Sequence, residues 1–93
     1  MNKESDKRKK ILINFRKASS LLNKITDMTA EGKYCVDIMQ QNMAVVGLLK
    51  SAHQMLMENH LETCFAKALQ SNDESLKQKM TKEILSVTKL YNK

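Results

Sequence analysis

The chain has 93 residues and a net charge of +6, with no proline, no tryptophan, two glycines and 4% aromatic residues. So few turn residues exclude a β-sandwich or a βαβ nucleotide fold and point to long helices. So few aromatics exclude a base-stacking sheet or an aromatic-anchored core.

No run approaches the ~18 apolar residues of a membrane span. The charged stretch from Met1 to Lys10 lacks the apolar region of a secretory signal. A cytoplasmic protein is expected, in which two cysteines are thiols, metal ligands or redox sensors rather than a structural disulfide. No linker or repeat divides the chain, so residues 1–93 read as one all-helical domain.

The first predicted helix runs from about Ser5, a capping residue followed by Asp6, to Thr29. Ile11, Phe15, Ala18, Leu22 and Ile25 lie at spacings of three and four and form one apolar stripe, widened by Leu12, Leu21 and Met28. Lys7, Arg8, Lys9, Lys10, Arg16, Lys17 and Lys24 make the rest of this helix basic. Gly32 supplies the stop, because the residue after a helix often needs a left-handed conformation.

The second predicted helix starts near Lys33 or Tyr34 and meets no breaker stronger than Gly47 until about Gln70. At ~1.5 Å per residue it is roughly 55 Å long, too long for a compact monomer of this size. Cys35, Asn42, Leu49 and Leu56 repeat every seven residues, and Met39, Val46, His53 and His60 repeat beside them. A sustained heptad is a helix-packing surface, so the rod needs a partner. The third helix opens at Ser71-Asn72-Asp73-Glu74, with Ser71 and Glu74 in capping-box relation. Leu76, Met80, Ile84, Val87 and Tyr91 carry its apolar face.

The metal-binding side chains are few. His60 and Cys64 are four apart, neighbours on one helical face. Cys35 precedes His60 by 25 residues, roughly 37 Å along the helix, so the two cannot share a metal within one chain. At ~100° per residue all three nevertheless project within about 20° of one direction. Two rods packed antiparallel about a two-fold axis bring Cys35 of one beside His60 and Cys64 of the other, giving two equivalent sites. The crossing falls near Gly47, Leu48 and Leu49, where the missing side chain of Gly47 permits close approach. Two thiolates and one imidazole suit Cu(I), while Zn(II) wants a fourth ligand.

Other readings are weaker in chemistry. Met39, Met43, Met55 and Met57 read as flexible core filler, and His53 as a packed interface histidine. The basic charge fits phosphate binding and fits a solvated basic face equally well. The second helix is too long for a helix-turn-helix. No nucleophile, base and orienting group can be assembled, and no phosphate-cradling glycine loop exists, so the chain does not read as an enzyme.

The stretch Gly32-Lys33-Tyr34-Cys35-Val36-Asp37-Ile38-Met39, then Gln41, Ala44-Val45, Leu49-Lys50 and Glu58-Asn59-His60-Leu61 with Cys64, resembles the copper-sensing repressor branch of the CsoR/RcnR family. The match is dense over about residues 31–70. The resemblance implies a protomer of three helices with one very long central helix, an antiparallel four-helix-bundle dimer and a dimer of dimers. It implies an apoprotein that binds operator DNA and is released by Cu(I). Cys35 of one protomer with His60 and Cys64 of the other would be the metal ligands, with Tyr34 and Glu83 flanking them. Arg16, Lys17 and Lys50 match basic positions implicated in DNA contact.

The family's first helix commonly carries an Arg-rich run followed by Gly-Gln. This chain reads Arg16-Lys17-Ala18-Ser19-Ser20-Leu21 there. Two alternatives stand beside the copper repressor. One is a sensor of the same family for persulfide, nickel or cobalt, or aldehyde. The other is a copper-binding helical protein without an operator.

Overall fold

The protein is seen in a computed structural model that describes residues 3–91, with the side chains of residues 6–88. The elements are all helical: α1 Lys3–Ala30, α2 Cys35–His60, a π-helical turn Leu61–Phe65, α3 Ala66–Gln70 and α4 Glu74–Tyr91. Three helical stretches separated by two joints match the all-α expectation, the middle one being α2, the π turn and α3 in continuous succession.

Helix α1 begins at Lys3, ahead of the Ser5 expected to cap it. It ends as expected. Gly32 has φ +69°. Its N–H donates to the Thr29 carbonyl at 3.1 Å, and the Lys33 N–H donates to Met28 at 3.0 Å. These are the paired bonds of a Schellman ending, and the positive φ is why glycine is there.

The second joint differs from expectation. Ser71 does not pair with Glu74. Its hydroxyl donates to the Ala68 carbonyl at 2.6 Å and accepts from the Asp73 N–H at 3.4 Å. Asp73 is the cap of α4 instead, its carboxylate accepting the Leu76 N–H at 3.1 Å. A carboxylate three residues before that donor satisfies an end group and also meets the positive end of the helix dipole.

The described contacts fall into two units that divide at Ala52 and His53. In the first, α1 lies against the first part of α2. Ile11, Ala18, Val45 and Ala52 are buried, and the Asn14 side-chain amide donates to the Leu48 carbonyl at 3.4 Å. Only part of the predicted α1 stripe is used: Phe15 and Leu22 are 40% and 52% exposed. Asn14, Leu21, Ile25 and Met28 are half-buried, so the inward face is rotated toward Asn14.

In the second unit the end of α2, the π turn, α3 and α4 pack together. Ala68 is buried, Met55, Met57, Met80 and Ile84 are half-buried, and the Thr88 hydroxyl donates to Met57 Sδ at 3.8 Å. Tyr91, expected on the apolar face of α4, has its side chain outside the described residues.

Burying an aliphatic side chain stabilises by roughly 1.5–3 kcal/mol, and alanine contributes much less. Among the described residues, three of the five buried apolar ones are alanines, so the core there is thin. Met39 and Met43, expected as filler, are exposed, and so are Leu49 and Leu56. Among the described residues no helix is long and apolar enough to cross a membrane.

Candidate functional site

Cys35 is the first residue of α2 and Tyr34 immediately precedes it. Both are exposed, Tyr34 at 69%. The Tyr34 carbonyl accepts the Ile38 N–H at 3.2 Å, the first bond of the helix. The Gly32 turn therefore sets where α2 begins and presents Cys35 at its mouth.

His60 ends α2 and is half-buried, and Cys64 lies within the π turn with its thiol free and exposed. In an α-helix, residues four apart differ by ~40° in direction. A π turn closes its hydrogen bonds five residues apart instead of four, so the α-helical angle between His60 and Cys64 does not carry over unchanged. Such turns recur at functional sites, and no sequence pattern announced this one. Thr63 sits inside it, donating to the Asn59 carbonyl at 2.7 Å and standing 3.7 Å from Cys64 Sγ. A hydroxyl has one hydrogen, and the short bond to Asn59 engages it, so a lone pair of Thr63 faces the thiol.

A cavity of about 510 Å³ opens in the second unit, lined by His53, Leu56, Met57, His60, Glu83, Ile84 and Val87. It brings Glu83 of α4 onto the same wall system as His60. His53 also lines it, half-buried among apolar neighbours. Cys35 and Tyr34 belong to the first unit and His60, Cys64 and Glu83 to the second. Among the described residues, no three His, Cys, Asp or Glu side chains group closely enough to hold a metal ion. The donor set nonetheless suits a soft cation: two reduced, accessible thiols and one imidazole.

In the first unit a groove of about 590 Å³ is lined by Arg16, Lys17, Ser20, Leu21, Lys24 and Leu48. It joins two of the three residues matched by resemblance to DNA contact, Arg16 and Lys17, and adds Lys24 and Ser20, which were not in that set. Lys50 is exposed but is not part of its lining.

Residues 7–89 match the family model of metal-sensitive transcriptional repressors. The chain belongs to this family. Its members are repressors and not enzymes. The chain is 38% identical over 65 residues to the copper-sensing transcriptional repressor CsoR of Mycobacterium ulcerans (strain Agy99), covering 70% of this chain and 56% of that protein. It is 37% identical over 70 residues to the CsoR of Mycobacterium tuberculosis (strain ATCC 25618 / H37Rv), covering 74% and 59%. It is 31% identical over 94 residues to the CsoR of Bacillus subtilis (strain 168), covering 100% and 90%. The chain thus spans little more than half the length of the two mycobacterial relatives and most of the Bacillus one. No solved structure matches it significantly.

Proposed function

We propose that the chain is a Cu(I)-responsive transcriptional repressor: the apoprotein holds operator DNA, and Cu(I) bound between protomers releases it. The ligands are Cys35 of one protomer with His60 and Cys64 of its partner. The observation that carries this reading is the condition of the α2 stripe. Cys35, Asn42, Leu49 and Leu56 are exposed along its length, while the chain buries the adjoining stripe of Val45 and Ala52. A row whose exposed leucines lie between two free thiols is a surface for a second copy. An isologous pairing brings unlike ends of that row together. The family match and the names of the relatives support the metal and the DNA.

Cu(I) supplies soft-acid bonding to sulfur and accepts low coordination. The chain's own residues do the rest. Cys35 and Cys64 lose their thiol protons on ligation, so binding weakens as pH falls. Tyr34 and Glu83 flank the ligands, Glu83 from the cavity that His60 also lines. His60 and Cys64 lie just before the joint to α4, so ligating them together with a Cys35 from another chain restrains that joint. Release of DNA requires the DNA-free form to bind Cu(I) more tightly, and by linkage DNA weakens Cu(I) binding by the same factor.

The test is fluorescence anisotropy of a duplex from the chain's own upstream region, with and without one Cu(I) per protomer. Apoprotein should prefer this duplex to a scrambled one at ~150 mM salt, where non-specific contacts are weak. Cu(I) should abolish the preference. No preference in the apoprotein would favour the copper-binding protein without an operator. Release by Ni(II), a persulfide donor or formaldehyde, with Cu(I) inert, would move the chain to another branch of the family.

A further inference from the structure

The α1 groove of the first unit goes beyond the basic positions matched by resemblance. Arg16, Ser20 and Lys24 follow at spacings of four, and Lys17 stands beside Arg16. Residues four apart share a face, so these side chains rise on one wall, while Leu48 of α2 forms the other. The Asn14 amide bonded to the Leu48 carbonyl at 3.4 Å ties α1 to α2 beside it. Arg16, Lys17, Ser20 and Lys24 are all exposed. No acidic side chain lines the groove, and none of its three cations pairs with an acid among the described residues. Three like charges crowded on one wall without a counter-charge repel one another, and an anion seated between them relieves that repulsion.

We infer that this groove is a cradle for the phosphate backbone of duplex DNA, with Lys24 as a cationic contact and Ser20 as a neutral hydroxyl donor. The inference rests on the repressor reading and adds two residues to it. From Arg16 to Lys24 the row spans about 12 Å at ~1.5 Å per residue. Duplex DNA carries one charge per ~1.7 Å of axis, so a row of that length meets several phosphates. Groups of this kind position a protein on DNA and read no sequence. Ser20 lies in the Arg16-Lys17-Ala18-Ser19-Ser20-Leu21 stretch that stands in place of the family's Arg-rich run and Gly-Gln, so the cradle offers phosphate contacts from the segment in which this chain departs from the pattern.

The two residue types make separable predictions. A cation that neutralises one phosphate changes the slope of log K against log salt by about 0.9, and a neutral donor leaves it unchanged. Lys24→Gln should therefore lower the slope by about 0.9, and weaken binding roughly eightfold at 0.1 M salt, for each protomer whose Lys24 meets a phosphate. It should do so equally on the chain's own upstream duplex and on a scrambled one. Ser20→Ala should weaken binding by a few-fold, on the order of one lost hydrogen bond, at constant slope. Lys79→Gln, on the exposed face of α4, controls for loss of one charge anywhere on the protein.

The experiment is a salt titration of anisotropy for these four proteins on both duplexes, with circular dichroism to confirm equal helicity. A slope in Lys24→Gln equal to that in Lys79→Gln overturns the cradle, even when the wild type still prefers its own duplex. An unchanged affinity in Ser20→Ala removes Ser20 from it. Loss of the wild-type preference, with the slope change in Lys24→Gln retained, overturns the repressor reading and leaves the cradle standing as a duplex-binding groove.

Discussion

Two adjoining stripes of α2 meet opposite fates. Val45 and Ala52 are buried at 6% and 0% exposure, flanked by half-buried Ile38, Gln41, Leu48, Met55 and Asn59. About 40–60° around the same helix, Cys35, Asn42, Leu49 and Leu56 stay exposed. Both repeat every seven residues, so periodicity cannot tell them apart. Composition can: the buried stripe has alanine and valine at its centre, where α1 comes close, and the exposed one has leucines with a thiol at its end. One stripe folds the protomer and the other is available to a second copy.

The sharpest break in that contrast comes from mixing ligand variants. Cys35→Ala and His60→Ala should each weaken Cu(I) binding by more than about 100-fold, since even outer partners of a ligand cost 10–100-fold. Co-refolded together, the two should recover about one intact site per heterodimer, measured by competition with a chromophoric Cu(I) chelator. If the mixture binds no better than either variant alone, the ligands do not come from two chains. X-ray absorption of the loaded wild type should show about two sulfurs for each nitrogen. Binding should weaken at acid pH as protons compete for the thiolates.

Packing changes should separate the stripes next. Ala52→Leu forces a larger side chain into a fully buried position and should cost roughly 1–3 kcal/mol. That lowers Tm by about 4–8 °C per kcal/mol for a domain of this size. Leu49→Ala removes an exposed side chain and should change protomer folding by no more than about 0.5 kcal/mol. Its effect should fall on association, read as a larger dissociation constant in sedimentation equilibrium and a Tm that depends more strongly on protein concentration. If Leu49→Ala lowers Tm as much as Ala52→Leu at every concentration, the two stripes do not differ in kind.

Much of this was legible in the sequence, and the gaps have physical causes. Glycine at position 32 announces a left-handed ending because it takes that φ with no Cβ penalty. The spacing of His60 and Cys64 announces neighbours in a regular α-helix, and not the π turn in which Cys64 lies. Which part of the α1 stripe turns inward was not legible. Phe15 and Leu22 fit the periodicity of α1 as well as Ile11 and Ala18 do, and only the approach of α2 selects among them. The π turn was hidden because Leu61–Phe65 has the composition of any helix. Lys24 and Ser20 gained their setting from Leu48, 24 and 28 residues further along the chain, a neighbour that local spacing cannot reveal.

The second joint offers a smaller test. Asp73→Ala removes the acceptor of the Leu76 N–H and should cost about 1 kcal/mol. Ser71→Ala removes a hydroxyl that bonds within the turn and does not cap α4. If the capping box expected from sequence held instead, Ser71→Ala would cost the more, and thermal melts of the two variants decide between them.

The smallest effect concerns Gly47. A Cβ built there meets nothing within 4 Å in the protomer, so the chain's own packing does not require glycine. Helix geometry places it about 120° around α2 from Cys35, away from the middle of the exposed stripe. In a helix interior, glycine is about 1 kcal/mol less favourable than alanine. Gly47→Ala should therefore raise Tm by a few degrees and leave the dimer's dissociation constant unchanged. If the variant instead dissociates, the two rods approach closely at Gly47, and the surface for the second copy is wider than the stripe that carries the thiols.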